Sequence, residues 1–253
     1  EEVFNLSSYL GMKIYGLIGY NFFNSFVVKI NYSVSRVSFR LPQLRKKTKW
    51  SKLDLEFLDN KPYINVDLQV PDLGIIKAKL IIDCGASHAL SLESYKGEIF
   101  PLPTPNFKAN LGVGLGGKIS GSVGRISSIM LGEYDLKNVV TNFPNYNDVA
   151  AKTKQKQRTG NLGADILKKF TVIFDYQDAA MYLKKNAYFN QAFEHDMSGM
   201  EIYVDDRQFQ RVFVSRVEPD SPAEKAGILF EQSMLAGQEW GAGLQELMMK
   251  YME

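Results

Sequence analysis

The sequence predicts a mainly β protein, and three observations carry that prediction. Residues Tyr63 to Val70 read YINVDLQV, apolar and polar in alternation, as a half-buried strand should. Short apolar runs recur in pairs around tight turns. Helical periodicity is scarce, and its best case is Leu244 to Tyr251 near the end, rich in Leu, Met, Glu and Lys.

The elements follow in order along the chain. Ala78 to Ile82 is a mostly apolar run that ends at Asp83. Arg125 to Leu131 and Leu136 to Val140 flank a Gly-Glu-Tyr-Asp turn. Thr171 to Tyr176 and Ala180 to Leu183 bracket Gln177-Asp178, read as a hairpin turn. An internal repeat organises these runs. Tyr15 to Phe39 aligns without a gap on Thr159 to Leu183, at a constant offset of 144 residues that carries Gly16, Gly19, Phe26, Val28 and Tyr32 onto Gly160, Gly163, Phe170, Val172 and Tyr176. Asn21 and Asn31 fall on Asp165 and Asp175. Both copies have the same order of glycine turn, short helix, strand, tight turn and strand. That order predicts a duplicated lobe.

Composition excludes several classes of function. With 30 basic and 28 acidic residues the net charge is +2, which gives no reason to expect nucleic acid as a partner. No apolar run approaches the ~18 residues of a transmembrane helix. A single cysteine excludes an internal disulfide framework. The basic cluster Arg45, Lys46, Lys47 and Lys49 beside Pro42 reads as a solvated linker. Lys152, Lys154, Lys156 and Arg158 read as an exposed loop. The chain has two histidines and no HExxH, no GxSxG and no His/Cys cluster, so no metal, cofactor or serine triad is expected.

The chemistry concentrates at Asp83. A strand that runs into Asp-x-Gly sets a carboxylate on a sharp turn, and Gly85 lets the backbone bend beside it. Alone the tripeptide is a plain turn signal; its surroundings are more specific. The run Ile81, Ile82, Asp83, Cys84, Gly85, Ala86, Ser87 resembles the active-site motif of the retropepsin-like aspartic peptidases, including bacterial relatives of the pepsin clan. Their second motif, two hydrophobic residues and a glycine before a short helix, is matched by Asn161, Leu162 and Gly163 before Ala164 to Lys169, and more fully by Leu17, Ile18 and Gly19. The resemblance implies a pepsin- or retropepsin-like acid-protease β-barrel lobe over residues 53–185, the tail of a first, incomplete lobe over 1–41, and a linker over 42–52. It also implies an aspartic endopeptidase acting on a peptide or protein substrate, and an exported location, periplasmic or cell-surface, in a bacterium.

That reaction needs two carboxylates sharing one proton, because like charges so close cannot both ionise. The ionised one activates a water and the protonated one polarises the scissile carbonyl. The repeat offset places the mate of Asp83 about sixty residues before Glu1 (83 − 144). The chain begins Glu-Glu-Val, with neither Met nor a signal pattern, so the mate is expected from a preceding segment; the other source is a homodimer partner. The chain alone is then expected to have little or no activity. Cys84 departs from the family pattern, which has Thr or Ser there, and a thiol is a poor donor for the hydrogen bonds that link the two lobes. Two readings compete: a degenerate peptide-binding protein of the same fold, and a Cys84 nucleophile served by His88.

Gly112, Gly114 and Gly117 fit G-x-G-x-x-G, but strand and turn sequence follows where a nucleotide site needs a helix. In the resembled family Gly114, Leu115, Gly116 and Gly117 would tip a flap-like hairpin over the cleft. The alternative is a glycine-rich hairpin with no role in substrate binding. After a linker over 186–197 the character changes. Gln210 to Val217 is strand-like, and EPDSPAEKAGIL (Glu218 to Leu229) resembles a PDZ domain over residues 198–253, truncated at its end. The resemblance places Ser221, Pro222 and Ala223 at the start of a short helix that Gly227 ends, and Gly199, Met200, Glu201 and Ile202 in the loop that holds a peptide carboxylate. Met200 and Ile202 read equally well as core strand residues.

Overall fold

Alternating sequence becomes strand throughout the computed structural model, which describes residues 7, 11–42, 49–114, 117–145, 158–204, 211–228 and 233–235. More than half of the described residues are strand. The chain divides into two units, Ile18–Glu194 in one and Glu1–Leu17 with His195–Glu253 in the other.

In the larger unit the first copy of the repeat forms a short helix, Tyr20–Ser25, and strands β1 (Val27–Asn31) and β2 (Arg36–Arg40). Strands β3 (Ser51–Asp54), β4 (Glu56–Leu58), β5 (Lys61–Val70) and β6 (Gly74–Ile82) follow. Next come β7 (Leu90–Leu92), β8 (Ser94–Tyr95), β9 (Glu98–Ile99), β10 (Asn106–Gly114), β11 (Gly117–Leu131) and β12 (Tyr134–Pro144). The second copy forms β13 (Gly160–Leu162), the helix Ala164–Leu167, β14 (Phe170–Asp175) and β15 (Ala180–Lys185).

Six strands close into a barrel in the order β11, β12, β7, β13, β6, β5, and β5 pairs back to β11 through Leu68 opposite Ile129. Closure removes the sheet edges that an open sheet would expose. The apolar alternation of β5 and β6 points Ile64, Leu68 and Leu80 inward, where Leu90, Ile126, Ile129 and Leu131 meet them, all fully buried. Each such side chain is worth about 1.5–3 kcal/mol relative to exposure. Residue Tyr63 of β5 is fully buried as well, under Lys79.

A second sheet runs β2, β1, β14, β15, β3 and joins the two copies of the repeat. Its register is symmetric under the sequence offset. Val28 lies opposite Phe174 and Ile30 opposite Val172, while Lys29 faces Ile173, its own equivalent. A local twofold axis therefore passes between β1 and β14. The match extends to the turns: 3-10 turns Tyr32–Val34 and Tyr176–Asp178 end in the left-handed residues Ser35 (φ 48°) and Ala179 (φ 43°). The turn expected at Gln177-Asp178 is thus a 3-10 turn, held by the Asp175 carboxylate accepting from the Asp178 N–H at 3.3 Å. Tyr20, Phe23, Phe57, Phe174 and Tyr176 form an aromatic cluster beside it, with Phe57 and Tyr176 at 4.7 Å.

Two expectations need revision. Arg158 is not an exposed loop residue. Its guanidinium grips the Glu93 carboxylate through Nε and Nη2, at 2.8 and 2.9 Å, in a largely buried pair. Residues 152–156 lie outside the described residues. The linkers also carry structure. Ser51 and Lys52 belong to β3, which pairs with β15, and Phe193 is buried in the main core with Phe189 packed against it.

The smaller unit contains β16 (Met200–Val204), β17 (Arg211–Val217) and β18 (Ser233–Leu235) in one antiparallel sheet. A short helix, Pro222–Lys225, follows β17. Ser221 caps it by accepting from the Glu224 N–H at 3.1 Å, Pro222 stands at its first turn, and Gly227 (φ 76°) ends it. Val214, Ala223 and Ile228 form a small core, with Met200 and Val217 against it. The helix expected over Leu244 to Tyr251 lies outside the described residues.

Candidate active site

Two strands of the barrel run parallel and deliver the site. β6 and β13 pair with Ile82 beside Leu162, and the Asp83 N–H donates to the Leu162 carbonyl at 3.0 Å. Asp83 is therefore pinned one residue past the end of β6, at the end of the barrel where the chain turns away. The turn closes through the Ala86 N–H on the Asp83 carbonyl, at 3.3 Å. Asp83 is half-buried, while Cys84, Gly85 and Ser87 are exposed and Ala86 is half-buried.

Leu162 and Gly163 form the floor under this turn. Leu162 is fully buried in the barrel core. Gly163 lies against the backbone of the turn: a Cβ there would sit 2.0 Å from the His88 carbonyl oxygen and 2.9 Å from that of Ala86. No side chain fits. The absent side chain also lets the helix Ala164–Leu167 start against the turn, with the Ala164 N–H on the Ala86 carbonyl at 2.7 Å and the Asp165 N–H on the His88 carbonyl at 3.3 Å. The glycine of the second motif is thus the packing partner of the first.

The Asp83 carboxylate has a donor on each oxygen. Oδ1 accepts from the Gly85 N–H at 2.9 Å, and Oδ2 faces the Asn161 Nδ2 at 3.5 Å. Asn161 is held from behind by His88, whose Nε2 lies 3.2 Å from Oδ1 of the amide. Asn161 and His88 were not singled out in the sequence as carboxylate partners. The signal was present in Asn161, a polar residue at a position where the resembled motif is hydrophobic. Burial lowers the His88 pKa below its ordinary 6.5, opposed by the Asn161 hydrogen bond and by the charges of Asp83 and Asp165.

Cys84 stands beside Tyr32 of the first copy. The residue as a whole is exposed, yet enough protein surrounds its sulfur that desolvation pushes the thiol up to about 11, against the lowering effect of the Tyr32 hydroxyl. The Tyr32 hydroxyl is itself buried and makes no hydrogen bond of ordinary geometry among the described residues. Desolvation, then the nearby thiol, raises the pKa values of both Tyr32 and Tyr176, equivalent residues of the repeat. A thiol so protonated is a poor nucleophile. His88 turns its Nε2 to Asn161, an arrangement that does not support a cysteine–histidine pair.

The glycine-rich segment is a hairpin. β10 and β11 pair from Asn106 opposite Gly124 to Gly114 opposite Gly117. Leu115 and Gly116 lie outside the described residues. In the smaller unit Gly199 has φ 71°, and a Cβ there would meet the Ser221 side chain at 2.3 Å. Met200, Glu201 and Ile202 are strand residues of β16; Met200 packs on the small core and Ile202 is exposed. Among the described residues no group of His, Cys, Asp and Glu could hold a metal ion, and no helix is long and apolar enough to cross a membrane.

No family model matches the chain. No curated protein matches it either. Among solved structures, a retropepsin-like aspartic protease from Rickettsia conorii is similar over 54% of this chain and 96% of that one, at 18% identity and a TM-score of 0.32, a level at which no residue role is transferred.

Proposed function

We infer that the chain carries one half of the carboxylate dyad of an aspartic endopeptidase, with Asp83 as the catalytic residue. The observation that carries this reading is the Asp83 turn itself: a half-buried carboxylate at the mouth of a closed barrel, with a donor on each oxygen and its backbone packed on a glycine that admits no side chain. The dyad needs a second carboxylate across the local twofold axis between β1 and β14. In the reaction, the ionised carboxylate takes one proton from a water as its oxygen bonds the scissile carbonyl carbon. The protonated carboxyl gives its proton to the carbonyl oxygen. A neutral tetrahedral diol results, and the two carboxyls have exchanged protonation states.

Three comparisons between the repeat copies support a first lobe as the source of the mate. Leu162 is fully buried and its equivalent Ile18 is 68% exposed. Met181 and Leu183 are fully buried in β15, while Val37 and Phe39 of β2 are each 59% exposed. Gly163 is crowded by the Asp83 turn, but a Cβ at Gly19 would meet nothing within 4 Å among the described residues. Among the described residues, the first copy thus has the sequence of a barrel floor with its equivalent face exposed. The β10–β11 hairpin is assigned to cover the substrate, and the smaller unit to bind peptide as a PDZ-like module, with Gly199 to Ile202 at its groove.

Hydrolysis of an unstructured peptide at acid to neutral pH by protein carrying both lobes, with Asp83→Asn as the control, tests the reading. Cleavage that is insensitive to pepstatin and survives Asp83→Asn overturns it. A second reading, a peptide-binding protein with a degenerate cleft, is favoured by Cys84, which replaces the hydroxyl of the resembled motif. Peptide binding without turnover in the two-lobed protein would select it.

A further inference from the structure

The offset of 144 residues that relates the two copies places Asn161 on Leu17. The two copies therefore differ at the position that faces Asp83. On the described side Asn161 presents an amide to Asp83; the equivalent position of the first copy is occupied by a leucine, which has no donor. The orientation of that amide is decided by its surroundings. Were it reversed, its carbonyl would face a carboxylate, acceptor against acceptor. With Nδ2 toward Asp83, Oδ1 faces His88 and requires a proton on Nε2. The chain His88 Nε2–H to Asn161 Oδ1, then Asn161 Nδ2–H to Asp83 Oδ2, fixes the imidazole tautomer and the amide together.

The geometry points to Asn161 and His88 as positioning residues that make Asp83 the proton-accepting member of the pair, with the shared proton resting on its mate. This rests on the peptidase reading of the site and goes beyond it by assigning the two carboxylates different roles. A hydrogen bond to the charged form of a carboxylate favours that form; Asn161 supplies one to Asp83, and Leu17 at the equivalent position has no donor to supply. The water is then activated from the Asp83 side, and the carbonyl is polarised from the other. His88 is neutral at pH 7, since burial lowers its pKa and the Asn161 bond and the charges of Asp83 and Asp165 only oppose that shift. Protonation adds a proton at Nδ1 and leaves Nε2–H in place, so the relay persists on acidification while a positive charge appears behind it.

The test follows His88 by nitrogen NMR in the full chain, which has only one other histidine, His195. The expected wild-type result is the Nε2–H tautomer with a titration midpoint below 6.5. Asp83→Asn removes a charge that raises the midpoint and is expected to lower it further. Asn161→Leu, a change the first copy already carries at Leu17, is expected to lower the midpoint and to speed exchange of the Nε2 proton. A His88 in the Nδ1–H form, or one that titrates alike in wild type, Asp83→Asn and Asn161→Leu, overturns the inference even where Asp83 proves essential for cleavage. In two-lobed protein, Asn161→Leu is expected to lower kcat about tenfold with KM little changed and to move the acid limb of kcat/KM to higher pH. An unmoved acid limb overturns the inference. A relay intact by NMR in two-lobed protein that cleaves nothing refutes the peptidase reading instead.

Discussion

Gly163 is the position where the two sequence motifs meet, and its replacement by alanine tests that junction quantitatively. The new Cβ would stand 2.0 Å from the His88 carbonyl oxygen, where 3.0 Å is the least that real Cβ atoms show. The turn from Asp83 to His88 must therefore retreat by about 1 Å, straining the Ala164 N–H bond to Ala86 and the Asp165 N–H bond to His88. Overpacking of this kind costs about 1–3 kcal/mol, and each weakened buried hydrogen bond about 1 kcal/mol more. A loss of about 3–5 kcal/mol is expected, which lowers Tm by about 10 °C for a unit of this size. Gly19→Ala is the matched control. Both glycines are helix N-caps with similar backbone, φ −96° at Gly163 and −114° at Gly19, so intrinsic propensity cancels between them. No described residue crowds Gly19, and its variant is expected to lose less than about 1 kcal/mol. Thermal and urea unfolding followed by circular dichroism reads both. Equal losses in the two variants would refute the steric reasoning.

Two further outcomes are expected. Glu93→Ala leaves the largely buried Arg158 guanidinium without its carboxylate and should cost about 3–5 kcal/mol by urea unfolding, with Glu93→Ala/Arg158→Met recovering part of it; additive losses would contradict the pairing. Cys84, its thiol pushed up to about 11, should react with iodoacetamide at pH 8 about two orders of magnitude more slowly than an unperturbed thiol, gaining about tenfold per pH unit up to pH 10; a rate that levels off near pH 8.5 would contradict the crowding.

The parts of the fold that were legible in the sequence are those set by local pattern. The alternation of Tyr63 to Val70 lies within β5, and the repeat between Tyr15 to Phe39 and Thr159 to Leu183 returns as paired strands with matching turns. What was not legible depends on partners distant in sequence. Arg158 reads as solvated because its neighbours are Lys and Gln, and only the fold brings it to Glu93. Closure of the barrel through β5 and β11 leaves no mark on either strand alone. The turn at Asp83 was legible as a motif, since a strand entering Asp-x-Gly constrains its own backbone. Its amide relay was not, because Asn161 lies 78 residues from Asp83 and reaches it only through the parallel pairing of β13 with β6.

The most direct test of the central claim is the peptidase rate of protein carrying both lobes, compared between wild type and Asp83→Asn on one unstructured peptide. Asp83 as half of a water-activating pair requires pepstatin-sensitive cleavage in the wild type and a loss of at least about a thousandfold in the variant, with the fold intact by circular dichroism. Cleavage that persists in Asp83→Asn would contradict it.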